Sequence, residues 1–88
     1  MTKHDPVVTH PGDHLKAHLE TSGMSLSDLA RATKLSKAYL SDVLMRKRSV
    51  GVKTAMRLER VFGFGADMWL GIQADWDLHQ ARRSEVTK

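Results

Sequence analysis

Apolar residues recur at helical spacing along this chain, in stretches separated by short polar or glycine-bearing segments. The central stretch, SLSDLARATKLSKAYLSDVL from Ser25 to Leu44, predicts two short amphipathic helices joined by a turn. Ser25 can cap the first, with Asp28 three residues on where a capping box wants a carboxylate, and Leu26, Leu29 and Ala30 share a face. Ser36 can cap the second, which buries Leu40, Val43 and Leu44. Thr33, Lys34 and Leu35 form the turn, with Leu35 pointing into the angle between the helices. Helices this short bury too little surface to stand alone, so the flanking chain must complete the core.

Those flanks carry the same pattern. A first helix is expected from Pro11, a residue suited to the first helical position, to a stop at Gly23, with Leu15 and Leu19 inward and Met24 under the next helix. A basic loop follows the central pair, Val50 plugs the core, and a fourth helix runs from about Val52 to Phe62 and stops at Gly63. Its inward positions are Val52, Ala55, Leu58 and Phe62; Lys53, Arg57 and Arg60 point out. The fifth helix spans Ala66 to about Arg82. Trp69, Ile72 and Trp76 mark one apolar strip on it, while Met68, Leu70, Ala74 and Leu78 mark a second. One small core does not need both strips, so Met68, Trp69, Leu70, Ile72, Trp76 and Leu78 are candidates for contact with another chain. Which strip is core stays open, as does the possibility that the domain uses the full width itself. No segment alternates long enough for a strand. The expected architecture is all-α, a five-helix domain over residues 10–82 with an arm at 1–9 and a polar tail at 83–88.

Composition narrows the class. At 88 residues there is room for one domain, and a hydrophobic share of 41% with 27% charged residues is ordinary for a globular protein. Without cysteine there is no disulfide framework or thiolate metal site, which fits a reducing compartment. No apolar run reaches the roughly 20 residues that span a bilayer, and MTKHDPVV has no signal-peptide core. A cytoplasmic, nucleoid-associated protein is expected, with no membrane contact.

Charge points to the partner. Arg31, Lys34, Lys37, Arg46, Lys47, Arg48, Lys53, Arg57 and Arg60 face only Asp42 and Glu59 between residues 31 and 60, a local balance of +7, while the rest of the chain carries −3. A basic centre on a helix-turn-helix pattern fits double-stranded DNA, with the second central helix in the major groove. With Leu40, Val43 and Leu44 inward, Lys37, Ala38, Tyr39, Ser41 and Asp42 are the base-reading candidates. Lys37 can donate to guanine, the Ala38 methyl can meet a thymine methyl, and Asp42 can accept from cytosine N4. Asp42 has a competing role, holding Lys37 or Arg46 in place. Ser36, Arg46, Lys47, Arg48, Lys53 and Arg57 are the phosphate candidates.

Other chemistry fits less well. His10, His14 and His18 have i, i+4, i+8 spacing, but His10 precedes the proline and no HExxH signature accompanies them, so no metal is expected. There is no GxSxG elbow, and Phe62-Gly63-Phe64-Gly65 lacks the glycines and lysine of a phosphate loop. Neither catalysis, nor a cofactor, nor a small-molecule substrate is expected. A basic module that binds protein or RNA without reading duplex sequence remains the alternative class.

Four segments together resemble one family. His10-Pro11-Gly12-Asp13 is similar to an HPGE start, the Ser25 to Leu44 pair and KRSVGVKTAMRLERVFG follow it, and ADMWLGIQADWDL is similar to an SPEFWLNLQxxYDL close. On these residues the chain resembles the XRE/Cro-type helix-turn-helix proteins and, among them, the HigA (VapI-like) antitoxins. That resemblance implies a lambda-repressor-like fold and a homodimer that binds a palindromic operator in its own promoter. It also implies a cognate RelE-like (HigB) toxin, a ribosome-dependent mRNA endonuclease. A repressor with no toxin partner is the variant to distinguish. Three positions depart from the family pattern: Lys34 stands where a turn glycine is common, Met45-Arg46 where Asn-Gly is usual, and Leu26 where a polar residue is frequent.

Overall fold

Caps and stops written in the sequence divide the described residues into five α-helices: α1 (Pro11–Ser22), α2 (Leu26–Thr33), α3 (Lys37–Leu44), α4 (Val52–Phe62) and α5 (Ala66–Val86). The computed structural model describes residues 8–86; the first seven residues of the arm expected at 1–9 and the last two of the expected tail lie outside them. No strand occurs among the described residues, and none of their helices is long and apolar enough to cross a membrane.

The caps form as the side chains dictate. Ser25 Oγ accepts from the Asp28 backbone N–H at 3.0 Å while the Asp28 carboxylate accepts from the Ser25 N–H at 3.3 Å, closing the expected box. Ser36 Oγ accepts from the Tyr39 N–H at 3.0 Å. The cap of α1 is a histidine: His10 Nδ1 accepts from the Gly12 N–H at 2.9 Å, and the Asp13 carboxylate returns a bond to the His10 N–H at 3.0 Å. Gly23 and Gly63 end α1 and α4 in the left-handed region, at φ 72° and 76°.

Packing follows the apolar faces. Leu15, Leu29, Leu40, Val43, Val50, Ala55, Leu58 and Trp69 make one core, with Met24 and Leu35 packed against it as their positions predict. α1 lies on α3 and α5, α2 on α3 and α4, and α4 on α5. Gly12 lets α1 approach the end of α3 so closely that a Cβ there would lie 2.0 Å from the Val43 carbonyl oxygen.

Three features differ from the sequence expectation. Val52, expected inward, is 63% exposed. At about 100° per residue it stands roughly 120° from Leu58, and Thr54 takes the inward place. α5 continues to Val86, so residues 83–86, expected in the tail, are helical. No glycine or proline follows Arg82, and Arg83 suits the negative end of the helix dipole. Trp69, proposed for an interchain face, is wholly buried in the core.

Two of the three departures from the family pattern are backbone features. Lys34 and Arg46 both adopt positive φ, 59° and 64°. A side chain in that region costs on the order of 1 kcal/mol relative to glycine. At Lys34 the Arg57 guanidinium offsets part of that by donating to the Thr33 and Lys34 carbonyls at 3.1 and 3.3 Å.

Candidate nucleic-acid interface

The exposed side of α3 and the loop after it carry most of the candidate residues. Lys37 and Ala38 are exposed on the first turn of α3, and Ser41 and Asp42 are half-buried one turn on. α1 and α2 each place a carboxylate in the first turn, but α3 has none. Its positive end therefore lacks a countercharge of its own, which favours an outside anion such as phosphate. Lys47, Arg48 and Lys53 are exposed beside it.

Several candidates have partners inside the chain. The Tyr39 hydroxyl donates to the Ser49 carbonyl at 2.7 Å and pairs with Thr54 Oγ1 at 3.0 Å, tying α3 to the loop and α4. It is not free to read a base edge, and its ring carries the Arg48 guanidinium at 5.5 Å. The Ser36 hydroxyl caps α3. Arg57 is partly committed to the end of α2, whereas Arg46 pairs with Asp13 across 33 residues and lies 5.3 Å over the Trp76 ring. The alternative role considered for Asp42, holding Arg46, is thus taken by Asp13.

On α5 the two apolar strips separate. Trp69 is core, and Leu70 packs partly against it; this corrects the assignment of Trp69 to an interchain surface. Ile72 and Trp76 are half-buried, while Met68 and Leu78 are about half exposed, at 51% and 50%. Gly71, Ala74 and Ala81 lie exposed along the same side as Leu78, spaced by three and four residues.

Sequence reasoning missed two positioning residues, His10 and Gln73. Gln73 Oε1 accepts from the buried Val50 N–H at 2.8 Å, while its Nε2 donates to Asp77 at 2.9 Å. One amide thus fixes the loop between α3 and α4 to α5. His10 is 2% exposed and edge-on to Trp76 at 5.1 Å. The available signal was the family resemblance, whose start contains His10 and whose close contains Gln73. His18 stacks on Phe62 at 4.9 Å and lies 5.5 Å from Trp69, and His14 bonds Thr9 at 2.8 Å.

Protonation of His10 works against this arrangement. Burial pushes its imidazole below the ordinary 6.5, Arg46 acts in the same direction, and Asp13 opposes them. Below pH 6.5 the unfolded chain takes up a proton that the folded chain resists, so His10 makes stability fall as pH drops through that window. Urea midpoints measured between pH 7.5 and 5 should decline, and His10→Asn, which keeps a capping acceptor without a titrating ring, should flatten the decline. An unchanged profile in the variant would remove His10 as its source. Asp13 acts in a separate window. Burial would raise its carboxyl, but the His10 N–H and Arg46 outweigh that and hold it below 3.8, so its contribution is lost only under more acid conditions.

Comparison with known proteins bears on this surface. A family model described as Helix-turn-helix matches residues 15–69, from the middle of α1 to the first turn of α5. The chain belongs to the XRE-type helix-turn-helix family. Virulence-associated protein I of Dichelobacter nodosus is 32% identical over 94% of this chain and 78% of its own. Among solved structures, Pseudomonas aeruginosa antitoxin HigA with higBA promoter superposes with a TM-score of 0.85 at 29% identity, covering 92% of this chain and 89% of that one. An addiction module antidote protein of a HigA family from Coxiella burnetii superposes at 0.81 with 28% identity, covering 90% and 87%. The family match accounts for the five-helix order and for α3 as the second helix of the DNA-binding motif; the fold is that of HigA-like antitoxins.

Proposed function

We propose that this chain is the antitoxin and autorepressor of a type II toxin–antitoxin pair. Two copies bind a palindromic operator in their own promoter, and the same chain neutralises a RelE-like (HigB) mRNA endonuclease. The observation that carries this reading is the likeness, over nine-tenths of the chain, to a HigA protein described with its promoter.

In this reading Lys37, Ala38, Ser41 and Asp42 face base edges, with Tyr39 contributing its ring alone. Lys47, Arg48 and Lys53 meet phosphate directly, Ser36 presents the positive end of α3, and Arg57 adds charge from behind the turn. Two α3 helices then enter successive major grooves, roughly 34 to 36 Å apart. The exposed side of α5 supplies the dimer contact: Gly71, Ala74 and Ala81 allow a second helix to approach closely, Met68 and Leu78 give apolar area, and Ile72 and Trp76 flank it.

Competition binding tests the operator. The chain should prefer DNA from upstream of its own gene over random duplex by a factor on the order of 10³ or more, sedimenting as a dimer when it does so. Equal binding to both would sink the repressor reading and favour a basic interaction module. Failure of a small basic protein encoded by the neighbouring gene to co-purify would reduce the assignment to a repressor alone.

A further inference from the structure

The left-handed residue at the exit of α3 is held from two sides. Arg46 donates from Nε to Asp13 Oδ1 and from a terminal nitrogen to Asp13 Oδ2, both at 3.1 Å, and its guanidinium stands 5.3 Å over the Trp76 ring. A fork matched to a carboxylate and stacked on an aromatic face is the arrangement in which arginine loses least freedom per bond. Asp13 is itself fixed by the His10 N–H at 3.0 Å. One side chain therefore joins the start of α1, the end of α3 and the middle of α5.

The next residues hang from this junction. The Arg46 N–H donates to the Val43 carbonyl at 3.0 Å and the Lys47 N–H to the Asp42 carbonyl at 2.8 Å, which sets the direction in which Lys47 and Arg48 leave the helix. An exposed turn with positive φ suits glycine, and an arginine there needs a compensating use. Contact with phosphate is the obvious one, but Nε and one terminal nitrogen already face Asp13.

We propose that Arg46 is a positioning residue: clamped between Asp13 and Trp76, it sets where Lys47 and Arg48 meet the DNA backbone and does not bind phosphate itself. This rests on the operator-binding reading. It also makes the DNA-facing loop sensitive to the placement of α5, the helix proposed to carry the dimer contact.

Asp13→Asn separates the two roles by sign. If the carboxylate were only a negative charge near DNA, its removal would tighten binding to any duplex. If it anchors the clamp, binding to upstream DNA weakens, while the asparagine oxygen still accepts from the His10 N–H. Arg46→Gly is the companion variant, because glycine suits the left-handed backbone and the fold survives the loss of the side chain. Both full-length variants should unfold cooperatively, and each should lose about tenfold in affinity for upstream DNA and for random duplex alike, because the misplaced contacts are to phosphate. The double variant should be no worse than either single one, and the two single variants should share one reduced salt slope, because both leave Lys47 and Arg48 misplaced. Tighter binding by Asp13→Asn, or a salt slope reduced by about 0.9 per protomer in Arg46→Gly but equal to the parent in Asp13→Asn, would make Arg46 a phosphate ligand and overturn the proposal. Unchanged affinity of both variants beside a parent that prefers upstream DNA would overturn the clamp alone. A parent with no such preference would overturn the operator reading and the clamp with it.

Discussion

Gly12→Ala should cost the fold on the order of 3 kcal/mol or more, from the addition of a single methyl group. Two effects of opposite sign meet at this position. Alanine is the better helix former by about 1 kcal/mol, so at an open helical site the change would stabilise. At Gly12 the new Cβ would lie 2.0 Å from the Val43 carbonyl oxygen, 3.0 Å from its carbon and 3.1 Å from the Leu44 Cα. All three are backbone atoms, so no rotamer change relieves the overlap, and α1 must move off the end of α3. That movement also pulls the His10 cap and Asp13 from their partners. A domain of this size has roughly 4 to 13 kcal/mol in hand, so the loss is a large share of the total. Urea titration followed by circular dichroism should show a much lower midpoint. A midpoint equal to or above that of the parent would mean that the close approach of α1 to α3 carries no packing energy.

The same residue shows what sequence reading reached and what it did not. Pattern alone located all five helices, because each apolar stripe repeats at helical spacing and several ends carry a serine, a proline or a glycine with a local role. Ser25, Ser36, Gly23 and Gly63 act within a few residues of themselves, so their function is written beside them. Gly12 acts across 31 residues, and nothing near it in the chain signals that it must lack a side chain. Arg46 and Asp13 are likewise 33 residues apart, so an arginine in a basic run reads as one more phosphate ligand until its partner is seen. Gln73 looks like any polar residue on a helix, yet it is buried because Val50, far off in sequence, needs an acceptor. On α5 the periodicity supplied two apolar strips without ranking them, and only packing against α1 and α4 showed that Trp69 belongs to the core. The candidate site was legible as a basic face, and its reading positions as the outward side of α3. The division of the basic residues into free, clamped and capping ones depends on tertiary contacts.

That division yields the second large effect. Replacing both Lys47 and Arg48 by alanine should lower operator affinity by on the order of 10³-fold near 0.15 M salt. Both side chains are exposed, and Arg48 is steadied over Tyr39 without being buried. In a two-fold complex the double substitution removes four cation–phosphate contacts. Each contributes about 0.9 to the slope of log affinity against log salt, so the slope should fall by between three and four. Because this contribution comes from released counterions, it vanishes toward 1 M salt and grows as salt is lowered; that fixes the size of the loss at 0.15 M. Phosphate carries no sequence information, so upstream DNA and random duplex should lose affinity together and their ratio should survive. A preserved slope would remove Lys47 and Arg48 from the DNA backbone, and a collapsed ratio would move one of them onto a base. The first outcome would leave the exposed loop after α3 without a partner, and the second would extend the reading surface beyond α3 itself.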